Sequence, residues 1–256
     1  GATIGHLVGY VAEIDEREIE LPEFEGYSPG RLVGKTGLER QYEPVLAGVP
    51  GTRYIEVDAY GRIVGELETD RHVAAVPGRD LHLHLDLGLQ RWIEEIFPDT
   101  MRGAIVALEP GTGHVLAMFS RPTYDPNEFV GGVDPARWRE LNADPAAPLL
   151  NRATSGLYPP GSTFKLFPAA IALDLGVVGP EERMPIPCRG GMPYGNRYFR
   201  CWASRGHGYL GMADAIKHSC NVYFYQVGLK IGLERFLVEA SRLGFAARTG
   251  VDLPVE

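Results

Sequence analysis

Over the first third of the chain, apolar and polar residues alternate with a short period. "HLVGYVAEI" (6–14), "RYIEVDAYGRIVGEL" (53–67) and "RHVAAVPG" (71–78) read as strands and hairpins, with "YGR" as a tight turn. Only "TGLERQYEPVLAG" (36–48) has helical spacing there. After Gly78 the pattern changes. "RDLHLHLDLGLQRWIEEIF" (79–97) starts in alternation and turns helical after Asp86, a residue suited to an N-cap. "GAIVALEPGTGHVLAMFS" (103–120) predicts a β-hairpin, and 121–157 a long irregular segment. Helical periodicity returns over 162–176, in "YLGMADAIKHSCNVYFYQVGLKIG" and in "LERFLVEASRLG". The expected class is α+β: a small, mostly β module over 1–78, then a domain over 79–256 that opens on a hairpin and continues in helices.

Composition narrows the function classes. The 256 residues are 45% hydrophobic and 23% charged, as in ordinary globular proteins. A net charge of −8 without a basic stripe argues against nucleic acid as a partner. No apolar run of about 18 residues and no signal peptide is found. The chain opens on "GATIGHLVGY" and stops on "GVDLPVE", and is expected to be a piece of a longer protein.

The candidate chemistry starts in "YPPGSTFKLFPAAIALDLG" (158–176). Ser162 suits a helix N-cap, but a lysine in the first turn opposes the helix dipole. Three residues apart, Ser162 and Lys165 share one helix face. A serine hydroxyl needs a base to become a nucleophile. A lysine can be that base if its pKa falls by roughly 3 units, which burial and the positive end of a helix supply. The helix start also offers a backbone N–H as half of an oxyanion hole. Ser-x-x-Lys alone is a weak motif. A second element, Ser219-Cys220-Asn221, comes further along, and its interval after Lys165 favours reading the two together. Lys35-Thr36-Gly37 looks like the third member of that set but precedes the serine, so it reads as a turn capping a helix.

Taken together, "RLVGKTGLERQYEPVLAGVPG", "GAIVALEPGTGHVLAMFSRPTYDPNEF", "NRATSGLYPPGSTFK" and "GHG…AIKHSCNVYFYQVGLKIG" resemble the class B penicillin-binding proteins, in particular the elongation-type peptidoglycan D,D-transpeptidases. The resemblance covers nearly the whole chain. It implies a pedestal module at 1–78 and the first part of a penicillin-recognising serine transpeptidase domain at 79–256, an antiparallel sheet packed with helices. It implies that Ser162 attacks the carbonyl between two D-alanines of a stem peptide, that Lys165 takes its proton, that Ser219 relays it, and that Asn221 binds substrate backbone and Lys165. β-Lactams would trap Ser162. Implied partners are a membrane glycan polymerase and scaffold proteins of the elongation complex. The implied place is the periplasmic face of the inner membrane, with an N-terminal anchor and a later lysine-threonine-glycine strand outside these residues. A D,D-carboxypeptidase or β-lactamase-like hydrolase, or a β-lactam sensor of the same fold, are the alternatives.

Three cysteines remain. Cys188, Cys201 and Cys220 with His207 have the composition of a closed tetrahedral zinc site, although the intervals of twelve, five and twelve residues match no standard finger. Cys220 lies between Ser219 and Asn221, so its side chain is expected to point away from both and hold a structural zinc behind them. Some elongation-type relatives resemble this, with a zinc held by Asp, His and Cys at similar places. A Cys188–Cys201 disulfide with a buried Cys220 thiol is the alternative.

Overall fold

A computed structural model describes residues 1–66 and 72–254, which form two compact units. The first unit is Gly1–Leu157, joined by the last described residues from Val251 on. Its opening stretch departs from the strand expected at 6–14. Gly5–Val8 forms one helical turn (α1), and only Val11–Glu13 (β1) is extended, paired antiparallel with Leu32–Gly34 (β2). Gly9 causes the break. It has φ +82°, and a Cβ there would lie 1.9 Å from the Thr36 carbonyl oxygen, so only glycine allows the two segments to approach.

The helical stretch at 36–48 is real but split into Gly37–Gln41 (α2) and Glu43–Leu46 (α3). Pro44, at the start of α3, cannot supply the N–H that a continuous helix needs there. Buried Glu43 accepts from the Gly34 N–H at 2.8 Å and from the Tyr27 hydroxyl at 3.1 Å, tying α3 to β2. The hairpin expected at 53–67 forms between Ile55–Val57 (β3) and Ile63–Glu66 (β4). Leu67 and Arg71, the ends of two expected strands, lie outside the described residues. The rest of the strand expected at 71–78 is reduced to isolated antiparallel bridges, Thr52 with Val73 and Val49 with Val76.

Asp86 caps Leu87–Ile96 (α4) by accepting from the Leu89 N–H at 2.9 Å; the alternating residues before it form no strand. The predicted hairpin pairs Gly103–Leu108 (β5) with Val115–Arg121 (β6). α4 packs on β6 through Ile93, Ala117 and Phe119. Gln90, fully buried, spends its amide on the backbone of Met118 and Thr3, which satisfies a polar group that would otherwise be costly inside. The irregular segment expected at 121–157 contains a helix, Pro135–Ala143 (α5). Its start carries clear signals, Asp134 as N-cap and Pro135 at the first position, but its mostly polar face hides the periodicity.

The second unit is Tyr158–Gly250. A 3₁₀ turn, Gly161–Lys165, leads into Leu166–Asp174 (α6). A hairpin of Gly191–Tyr194 (β7) and Arg197–Arg200 (β8) comes next, in a stretch where the sequence pattern predicts only a loop. Met212–Lys217 (α7), Asn221–Ile231 (α8) and Leu233–Arg242 (α9) complete the unit. α6 packs on α8 and α9 around Ala169, Ala172, Val222 and Val227. No helix among the described residues is long and apolar enough to cross a membrane.

Candidate active site

Two breaks in helical structure bring the site together. The first is the 3₁₀ turn ahead of α6, where Gly161 takes φ +59°. Phe164, inside that turn, packs against Phe167, Phe236 and Phe245, which fixes the turn on α9 and the segment after it. Ser162 makes no capping bond. Its neighbour Thr163 donates to Pro160 O at 2.6 Å, and Ser162 itself is exposed.

The second break separates α7 from α8. Ser219 takes φ +51°, a left-handed conformation that costs a non-glycine residue about 1–3 kcal/mol and clusters at functional sites. This kink turns the Ser219 hydroxyl and carbonyl toward Lys165 and sends the Cys220 thiol into the core.

The two breaks meet at the Lys165 side-chain nitrogen. Nζ lies 3.1 Å from Ser162 Oγ, 2.8 Å from Ser219 Oγ, 2.8 Å from Ser219 O and 2.7 Å from Asn221 Oδ1. Ser219 Oγ donates to Ser162 Oγ at 2.8 Å. The Asn221 orientation is determined by its surroundings. Its Nδ2 donates to the Arg200 carbonyl at 3.3 Å, which accepts only, so Oδ1 must face the lysine. Two of the four neighbours of Nζ are thus obligate acceptors and take two N–H bonds. A neutral amine then has its lone pair left for the serine hydroxyls, and the arrangement accommodates both protonation states. Burial lowers the Lys165 pKa from its usual 10.5, while the nearby Cys201 and Cys220 groups pull it the other way.

Directly behind Ser219 and Asn221 lie the three cysteines and the histidine. The ligand atoms of Cys188, Cys201, His207 and Cys220 all fall within 4.8 Å of one another, and all three cysteines are buried and free of disulfides. His207 Nδ1 is 3.5 Å from Cys188 Sγ and 3.6 Å from Cys201 Sγ. A tetrahedral zinc with ordinary Zn–S and Zn–N lengths needs sulfur–nitrogen edges of roughly 3.6 Å. The donor set and spacing therefore fit zinc. The thiols differ: burial opposes ionisation of Cys201, but the backbone N–H groups of Ala203, Asn221 and Val222 bring it below its ordinary range, whereas burial pushes the Cys220 thiol up to about 12. Two glycines allow the loop to fold so tightly. A Cβ on Gly206 would lie 2.0 Å from Cys188 O, and one on Gly190 2.2 Å from Ser204 O.

All eight residues singled out in the sequence fall within the second unit, four around the Lys165 nitrogen and four in the cluster behind it. Lys35, Thr36 and Gly37 instead line a cavity of about 490 Å³ in the first unit. Sequence reasoning missed β7–β8 and two residues at its end: Arg200, whose carbonyl orients Asn221, and Trp202, whose indole reaches Ser219. The signal was present in "GMPYGNRYFR", where Gly195-Asn196 is a two-residue hairpin connection.

A sequence model described as the penicillin binding protein transpeptidase domain matches residues 103–256, and one described as the penicillin-binding protein dimerisation domain matches 1–83. The chain belongs to the penicillin-binding protein transpeptidase family. It is 38% identical to the peptidoglycan D,D-transpeptidase MrdA of Salmonella typhimurium, over all of this chain and 41% of that protein. Among solved structures it matches PBP2 of Helicobacter pylori, in complex with MreC, at a TM-score of 0.86 and 35% identity, over all of this chain and 47% of that one. It matches PBP2 of Pseudomonas aeruginosa, in complex with WCK 5153, at a TM-score of 0.78 and 35% identity, over all of this chain and 51% of that one. The chain thus spans about two fifths of the MrdA length. The α+β penicillin-binding fold expected from the sequence is the fold observed, with helices and antiparallel hairpins.

Proposed function

We propose that the protein is a serine D,D-transpeptidase that cross-links peptidoglycan stem peptides during cell-wall elongation and is acylated by β-lactams. The convergence of Ser162, Lys165, Ser219 and Asn221 on one amine carries this reading. Lys165, neutral, takes the proton as Ser162 Oγ attacks the carbonyl between the terminal D-alanines. Ser219, within 2.8 Å of both Lys165 Nζ and Ser162 Oγ, relays that proton to the departing D-alanine amine. Asn221 holds Lys165 through Oδ1 and offers its remaining N–H to the stem-peptide backbone. An amine from a second stem then attacks the acyl-enzyme, forming the new amide and freeing Ser162.

Cys188, Cys201, His207 and Cys220 would hold a structural zinc, whose chemistry is to lock four side chains into one geometry. The acyl transfer itself uses none of it. In this reading residues 1–78 are a pedestal and 79–256 the beginning of the transpeptidase domain, working on the periplasmic face of a membrane that an N-terminal helix anchors. Partners are a glycan polymerase and a scaffold of the MreC type, the protein present with the Helicobacter PBP2. The test is turnover by the full-length protein of a D-alanyl-D-alanine stem peptide with an amine acceptor. Cross-linked dimer is expected. Release of D-alanine by hydrolysis alone would make it a carboxypeptidase, and acylation by a β-lactam without any turnover of the peptide a sensor.

A further inference from the structure

We infer that Trp202 is a positioning residue for the acylation step, and that it acts through its indole N–H by holding the left-handed turn at Ser219. The inference rests on the transpeptidase reading above. Trp202 is 67% exposed, an unfavourable place for a large aromatic side chain that contributes little to the core. Its Nε1–H nevertheless points inward, donating to the carbonyls of His218 at 3.1 Å and Ser219 at 3.2 Å. Those carbonyls flank the one residue between α7 and α8 with positive φ. The Ser219 carbonyl is also one of the two obligate acceptors of Lys165. One indole hydrogen is therefore shared between the strained turn and an oxygen that orients the base.

The neighbours of Trp202 act on the same element. The Arg200 carbonyl accepts from Asn221 Nδ2 at 3.3 Å and from the Tyr225 hydroxyl at 3.1 Å. The backbone N–H groups of Asn221 and Val222 favour the Cys201 thiolate from the start of α8. Three consecutive residues thus grip residues 218–222 from one side. Two of them reach α8; only Trp202 reaches the turn before it. With that bond lost, nothing else on the 200–202 strand end opposes relaxation of Ser219 toward an ordinary conformation, which would swing its hydroxyl away from Ser162.

The test compares full-length wild type with Trp202→Phe, which keeps an aromatic side chain and removes the N–H. Stopped-flow measurement with a chromogenic penicillin separates noncovalent binding from the first-order acylation constant. Acylation is expected to slow about three- to tenfold, the span of one net hydrogen bond. Binding and metal content are expected to stay within error, and the melting temperature to fall by no more than about 4 °C, the effect of one hydrogen bond. A wild-type acylation constant in the variant, or a loss confined to binding, overturns the proposal; the latter would make the ring a substrate platform. A second measurement does not depend on the variant folding or on the enzymatic reading. With ¹⁵N-tryptophan, the Trp202 indole N–H of the wild type should exchange with solvent about three- to tenfold more slowly than a free indole, the effect of one hydrogen bond. Exchange at the free rate refutes the bond itself. Absence of any acylation in the wild type, with slow indole exchange, would instead count against the enzyme reading.

Discussion

Among individual residues the decisive atom is Lys165 Nζ. A protonated lysine has no lone pair and cannot accept a proton from Ser162, so the proposed acylation requires the amine form. Burial lowers its pKa, and the two obligate acceptors leave the lone pair directed at hydroxyls. Acylation should therefore rise with pH and level off at a pKa below the 10.5 of an ordinary lysine. A rate still climbing at about pH 10, the range of a free lysine, would show that burial does not prepare the base. This residue was legible in the sequence through a misfit, a cation in the first turn of a helix. That Ser162 would be spared from capping was not legible, because serine is competent as an N-cap and only the fold shows that no side chain caps this turn.

The elements build the site from their interruptions. The pattern of residues makes α8 easy to find, since Val222, Tyr223, Val227 and Ile231 mark its buried face. It does not reveal that the turn before it is left-handed, because serine has no strong preference for that region. The kink separates two roles. Ser219→Gly keeps a residue that adopts φ +51° at no steric cost but removes the hydroxyl. Melting temperature should hold or rise, and acylation should fall about 10²–10⁴-fold, as for a lost proton-transfer group. Near-normal acylation by the glycine variant would rule out Ser219 as the relay. The cluster behind the turn makes a second prediction. Purified protein should contain about one zinc, as a closed four-ligand site requires. Its removal by chelator should expose the thiols of Cys188, Cys201 and Cys220, lower the melting temperature and slow acylation together. No metal, or a single free thiol beside a disulfide, would contradict the assignment. The hairpin β7–β8 was missed because Tyr194, Tyr198 and Phe199 are exposed, so its alternation does not separate a buried face from a wet one.

For the molecule as a whole, the boundary expected at Gly78 rests on a change of pattern along the sequence. The compact units divide later, after Leu157. The cause is tertiary and invisible in a local pattern. In the first unit His6 donates through Nε2 to Pro148 O at 2.7 Å, Thr123 reaches Ala2 O at 2.7 Å, and Gln90 reaches Thr3 O at 2.8 Å. The N-terminal segment is thus woven into the sheet and loops that come after it. His6 makes this testable. Burial lowers its pKa to about 4, with the Arg152 charge acting the same way against the hydrogen bond to Pro148. The unfolded chain binds a proton near pH 6.5, and the folded one does not until about pH 4. The His6 contribution to stability is complete above pH 6.5 and declines as pH falls toward 4, by roughly 3 kcal/mol over that window. His6→Gln, which keeps a donor for Pro148 but does not titrate, should flatten the dependence between about pH 7 and pH 4.5. An unchanged pH slope in that variant would place the titration elsewhere.

The proposed function turns on Ser162 as the nucleophile, and the site of covalent attachment measures that without intermediaries. The full-length protein is incubated with benzylpenicillin, digested and analysed by mass spectrometry. One penicilloyl group is expected on the peptide bearing Ser162, and none in Ser162→Ala. An adduct on any other residue, or equal labelling of the alanine variant, would contradict the assignment.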